Sequence, residues 1–287
     1  MLILALPGYA ISRFDKSKKE IVTLENSYRL KLPNELEKYR DKLEKSVKPF
    51  VKITTKKGRT LPWESKFGGT PYLPIGYEYP IDIQGTAMRL LAQINFEELP
   101  AMDQFPKKGI LQFYISASDD FYGLNFDKPT CQENFKVIYI SEVVKDDSKI
   151  ITDFSFINNS EDDYFPIASE GRLQFSIEYA PVACSDFQFE KIFNDVAYSI
   201  FNDEECDWYE KEYSGAGHKV GGYAYFTQYD PRGNNGYNDY DILLLQIDTD
   251  DELGIMWGDC GVANFFIRAE DLERLDFTRV LYNWDCC

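Results

Sequence analysis

Several things are scarce in this 287-residue chain, and each scarcity removes a class of function. There is one histidine, His218. There are six cysteines, Cys131, Cys184, Cys206, Cys260, Cys286 and Cys287, and no C-x-x-C among them. No zinc-finger spacing can be assembled from that set, and scattered thiols in a chain of this length read as reduced. Basic residues are few: 31 Lys and Arg stand against 48 Asp and Glu, a net charge of −17. Such a surface repels phosphate backbones and anionic lipid, so neither nucleic acid nor membrane is the expected partner. A basic protein or peptide is. No apolar run approaches the ~18 residues of a membrane span. The opening "MLILALPGYAISRF" lacks a basic start and contains Pro7 and Gly8. It reads as a buried strand rather than a signal peptide, and the expected location is the cytoplasm.

What is abundant is aromatic: 21 Phe and 20 Tyr, in a class making up 16% of the chain. Aromatic side chains suit the half-buried surface of a sheet. "VKITTK", "MRLLAQINF", "GILQFYISA", "KVIYIS", "GRLQFSIEYAPV", "DILLLQID" and "GVANFFIRA" read as strands. Leu36, Tyr39, Leu43 and Val47 form one apolar stripe on a helix over 34–47. Phe189, Ile192, Phe193, Val196, Ile200 and Phe201 do the same over 186–201, with Ser185 or Asp186 as cap. "EDLERLDF" closes as a short helix or turn. The predicted class is α+β and β-rich.

Three blocks recur. "KFGGTPY" from Lys66 returns as "KVGGYAY" from Lys219, "LLAQIN" from Leu90 as "LLLQID" from Leu243, and "GILQFYISA" from Gly109 as "GVANFFIRA" from Gly261. They hold 4 of 7, 4 of 6 and 4 of 9 identities at offsets of 153, 153 and 152. Chance would leave about one or two matches in that length. The order and spacing read as an internal duplication, with related units over about 61–120 and 214–272. The shared element K-x-G-G-x-x-Y assigns Gly68, Gly69, Gly221 and Gly222 to loop structure, where positive φ or close approach is needed. "GAGHKVGG" is followed by strand-like alternation, not a helix, so it is no dinucleotide loop. No obvious Ser or Cys nucleophile accompanies His218 in sequence, so no catalytic set is assigned.

"KFGGTPYLP", "LLAQINFEELP", "FPKKGILQFYI", "HKVGGYAYFTQYDPR", "LLLQIDTDD" and "WGDCGVANFFI" resemble the bacterial YwqG family. The resemblance runs from Leu32 to the C-terminus and leaves 1–31 as an N-terminal extension. It implies a β-rich α+β domain, over 32–287, of antiparallel duplicated units with a few peripheral helices. It implies no established enzymatic activity and no cofactor. A more distant likeness, through a G-G-x-P loop and an L-L-Q strand, reaches programmed-cell-death-2-type chaperones of a basic ribosomal protein. The paired cysteine motifs of that branch are missing here. The resemblance also implies a setting near bacterial toxin systems, where acidic immunity proteins are common.

Candidate binding residues are Trp63, Gln93, His218, Arg232, Gln246, Trp257 and Asp259. Trp and Arg are favoured at interface hot spots. Gln93 and Gln246 hold matching positions, where a buried amide ties its strand to a loop or meets a peptide. Asp248, Asp250, Glu252 and Asp259 partly mimic a calcium loop, but Leu253 stands where glycine is required, so an acidic turn is expected and no metal is assigned. The leading expectation is a non-catalytic module for a basic partner, chaperone-like or immunity-like. The rival is a hydrolase with a carboxylate or metal site between the repeats, in which His218, Asp248 and Asp259 converge. A purely structural domain is a third reading. Partner identity and oligomeric state are not legible.

Overall fold

The computed structural model describes residues 29–157, 164–233 and 236–287. The expected N-terminal strand lies outside them.

Two long strands form the centre. β1 (Lys48–Lys57) and β6 (Gly171–Ala180) run antiparallel through ten pairs, from Lys48 opposite Ala180 to Lys57 opposite Gly171. Beside β6 come β2 (Lys66–Phe67), β3 (Arg89–Asn95), β4 (Ile110–Ile115) and β5 (Phe135–Ile140). Beside β1 come β7 (Lys219–Gly221), β8 (Ile242–Asp248), β9 (Val262–Ile267) and β10 (Leu281–Asp285). The ten strands are antiparallel throughout, in the order β10-β9-β8-β7-β1-β6-β2-β3-β4-β5. The protein is α+β and β-rich.

That order is palindromic. The first strand of each half pairs with the second strand of the other: β1 lies beside β7, and β6 beside β2. The halves therefore cross at the centre. Their registers agree in detail, since Lys66 faces Gln93 and Lys219 faces Gln246. Each third strand carries a bulge at the same place, between Leu90 and Ala92 and between Leu243 and Leu245.

β4 and β9 are buried along their whole length, apolar except for Gln112 and Asn264, as strands covered on both faces should be. The sheet curls so that its ends meet. Phe113 and Phe265 lie 4.8 Å apart, and Phe135 sits 5.2 Å from Tyr282. The Tyr282 amide donates to Pro129 O (3.0 Å), and Gln132 Nε2 to Phe277 O (2.7 Å). These contacts cap sheet edges that would otherwise invite pairing with another chain. One continuous core, with Val51, Phe67, Phe113, Trp257 and Phe265, draws on both halves.

The helices gather outside the sheet. The predicted helix over 34–47 is a 3-10 segment, Asn34–Tyr39, followed by α1 (Arg40–Ser46). The predicted helix over 186–201 breaks in two, α2 (Gln188–Phe193) and α3 (Ala197–Ile200), because Asn194 takes a left-handed φ of 63°. Asp186 Oδ1 accepts from the Gln188 amide near its start (2.9 Å). α4 (Asp203–Tyr213) was not anticipated, and its capping box of Asn202 and Glu205 is the signal that marks it. Its Cys206 and Tyr209 join Phe189, Phe193 and Phe201 in a second apolar cluster. α5 (Ala269–Glu273) follows β9. The six cysteines are unpaired.

Candidate functional site

The bond network around each glycine loop is the same in both halves. Gln93 Nε2 donates to Pro62 O (2.7 Å) and Glu64 O (2.8 Å), while its Oε1 accepts from the Tyr72 amide (2.7 Å). Gln246 Nε2 donates to Gly215 O (2.9 Å) and Gly217 O (2.7 Å), and its Oε1 accepts from the Tyr225 amide (2.8 Å). Gln112 Nε2 reaches Tyr72 O (2.7 Å), as Asn264 Nδ2 reaches Tyr225 O (2.9 Å). Gly68, Gly69, Gly221 and Gly222 have φ of 64°, 73°, 76° and 70°. That left-handed region strains any other residue. The paired lysines are both buried, Lys66 at 1% exposure and Lys219 at 4%.

The loops in front of those lysines differ. In the first half it reads Leu61-Pro62-Trp63-Glu64-Ser65, and in the second Ser214-Gly215-Ala216-Gly217-His218. Trp63 packs on Tyr72, Ile110, Ile140 and Ile150. Ala216 has no side chain that can do so. A Cβ at Gly217 would meet nothing within 4 Å. A cleft of about 780 Å³ lies between the central strand pair, the end of α4, this loop and the acidic turn after β8. Glu178, Glu212, Asp250 and Asp251 line it, against Lys52 and Lys219. Lys52 is already paired with Glu178 at 3.3 Å.

His218 takes the role that Ser65 plays in the first half. Ser65 Oγ accepts from the Asn95 amide (2.9 Å), and His218 Nδ1 accepts from the Asp248 amide (2.9 Å). The hydrogen bond therefore assigns the ring proton to Nε2, which faces Asp250 Oδ2 at 3.1 Å. Thr55 Oγ1 donates to the same oxygen, and the Glu252 amide to Oδ1 (2.6 Å). The bond from His218 is the chief reason the Asp250 carboxyl is held well below its ordinary range. Both ring nitrogens are thus committed within the protein, and neither is free as a general base.

Of the seven candidate binding residues, only His218 lines the cleft. Gln93 and Gln246 are fully buried and spend their amides on the loops. Trp63 is partly buried in the first half. Arg232 is 1% exposed, clamped by Asp186 (2.9 Å) and Asp230 (2.6 Å) over the Phe266 ring, so it binds nothing outside the protein. Trp257 is wholly buried against Tyr122, 5.5 Å between ring centres. Asp259 is exposed but outside the cleft, and the carboxylate that meets His218 is Asp250. Asp248 meets His218 through its backbone amide, but neither its carboxylate nor Asp259 lines the cleft beside the imidazole. Asp248 Oδ2 instead accepts from the Gly217 amide (2.6 Å). Among the described residues, no three His, Cys, Asp or Glu side chains are grouped as metal ligands would be.

Sequence reasoning missed Glu212, took Lys219 only as part of the repeated loop, and weighed Asp250 and Asp251 only as an acidic turn with a partial calcium pattern. The available signal was the loss of side-chain bulk between "LPWES" and "SGAGH". Burial pushes the Lys219 ammonium down to about 7 and that of Lys66 to about 8.

Residues 65–286 match the model of a family described as a domain of unknown function, DUF1963. No curated protein matches the chain. Among the described residues no helix is long and apolar enough to cross a membrane.

Proposed function

The chain belongs to the DUF1963 family, a domain of unknown function, and on that premise we propose a non-catalytic capture protein built from a duplicated unit. Its second unit takes a basic segment of a protein partner into the cleft over the Ser214–His218 loop. The observation that carries this reading is the cleft's charge. Four carboxylates line it, its one exposed lysine is already paired, and the net charge of the chain has the same sign. Complementary charge of this kind steers and selects a partner more than it adds raw affinity. The committed nitrogens of His218 favour binding over acid–base chemistry. The YwqG resemblance, with its distant likeness to chaperones of a basic protein, supports a basic client.

The test is titration of Lys- and Arg-rich peptides, with Glu-substituted versions of the same peptides as controls. Binding of the basic set should weaken as salt rises past ~0.1 M, where the Debye length is about 10 Å. Glu212→Lys with Asp251→Lys should abolish it while the fold stays intact. Binding unmoved by that double change overturns the cleft as the site. Capture from a host lysate, eluted in rising salt and read by mass spectrometry, then identifies the client.

A further inference from the structure

The cleft contains a buried amine that peptide capture does not use. Lys219 lines the cleft and is 4% exposed. An ammonium has three N–H groups to satisfy. Among the described residues, Lys219 Nζ donates to Gly215 O and makes no ion pair, with the Phe50 ring 5.5 Å away. Lys66, its counterpart, donates to two carbonyls, Leu61 O (2.8 Å) and Thr70 O (3.2 Å). The residue over each amine also differs. Pro62 stands where the second half has Gly215, and a Cβ at 215 would lie 3.2 Å from Lys219 Nζ. At 215 the second half has no side chain to lie against its amine, which stays buried at the wall of the cleft.

Burial disfavours the charged form, and at a value of about 7 roughly half the amine is neutral at neutral pH. Asp186 and Asp248 pull the other way without restoring the ordinary value. The charged groups that share the cleft are Lys52 from β1, Glu178 from β6, Glu212 from α4, and Asp250 and Asp251 from the acidic turn, with His218 next in sequence. Tyr179, Tyr213 and Tyr223 complete its titratable lining.

We propose that Lys219 is a nucleophilic amine that captures a neutral or cationic aldehyde in this cleft as an imine. The Nζ lone pair forms the new bond to the carbonyl carbon, and the C=O π pair moves to oxygen. That oxygen takes up a proton as the nitrogen loses one, giving a carbinolamine. Loss of the hydroxyl with the second nitrogen proton, as water, leaves the C=N bond; nothing is oxidised or reduced. The surrounding carboxylates set the ligand class, because they repel a keto acid or other anion. This step does not depend on whether a basic segment occupies the cleft.

The experiment uses the full chain at pH 7 with 4-(trimethylammonio)benzaldehyde or 4-carboxybenzaldehyde and cyanoborohydride. Peptide mapping then reads the rate at every lysine, each normalised to free Nα-acetyllysine. Lys219 should be labelled more than about tenfold faster than Lys66 or Lys52, and faster by the cationic probe. Its rate should level off above pH about 7, while exposed lysines keep rising toward pH ~10. Labelling of Lys219 no faster than of Lys66 and Lys52 overturns the proposal. Preference for the carboxylate probe overturns the ligand class. Lys219→Met should remove the fast site and leave the other lysines unchanged.

Discussion

The two glycine-loop regions share a frame and differ in what lies over it. In the first, Trp63 packs on Tyr72, Ile110, Ile140 and Ile150, and the Ser65 hydroxyl accepts the strand amide. In the second, Gly215, Ala216 and Gly217 line an open cleft, and an imidazole accepts the equivalent amide. The frame is held by two amides whose three main-chain bonds are matched one for one. A scaffold secured in this way tolerates the loss of loop side chains, because the loop backbone is tied through its carbonyls. The lesson is a division of labour, with fixed carbonyl ties below and variable side chains above.

The largest effect should come from cutting those ties. Gln93→Ala and Gln246→Ala each strand buried carbonyls and a buried amide. We expect losses of about 2–4 kcal/mol in urea unfolding, larger for Gln93, whose Oε1 also accepts from Gln112 (2.8 Å). If only one variant loses stability, the frames are not equivalent. Next come the glycines. Gly68→Ala and Gly221→Ala impose a left-handed alanine and should cost about 1–2 kcal/mol each.

Closing the open loop should separate the halves. Ala216→Trp should weaken a basic peptide by about tenfold while changing stability by less than about 0.5 kcal/mol. Trp63→Ala should do the reverse, losing stability and leaving binding unchanged. The smallest effect is on pH dependence. A carboxyl depressed in the folded state contributes stability that is present above its unfolded value, near 3.9, and is lost as pH falls through the folded value. Asp250→Asn should therefore remove about 1 kcal/mol of stability at pH 6 but much less at pH 2, with the difference accruing below pH ~5. Glu97, the matching residue of the first half, is exposed.

Much of this was legible in the chain. Strands as apolar as "ILQFYI" and "ILLLQID" announce themselves, and the recurrence of lysine, glycine pair and glutamine at a nearly fixed offset located both frames. The crossing of β1 and β6 was not legible. Those strands begin 123 residues apart, not 153, because α2 to α4 are inserted between β6 and β7. β10, "LYNWD", is too short and mixed to stand out. α4 is strongly acidic, and of its apolar residues only Cys206 and Tyr209 are fully buried, with Trp208 and Tyr213 packed beside them. The pairing of His218 with Asp250 spans 32 residues and depends on the turn geometry after β8. Arg232 looked like an interface residue by type, and only its burial between two aspartates shows otherwise.

The most direct test of the central claim is mapping of backbone amide shifts while a basic peptide is titrated into the full chain. The account predicts that the largest changes fall on residues 213–219 and 249–251 and on the facing stretches of β1 and β6, with 61–66 silent. Changes centred on 61–66, or spread evenly over the acidic surface, would contradict it.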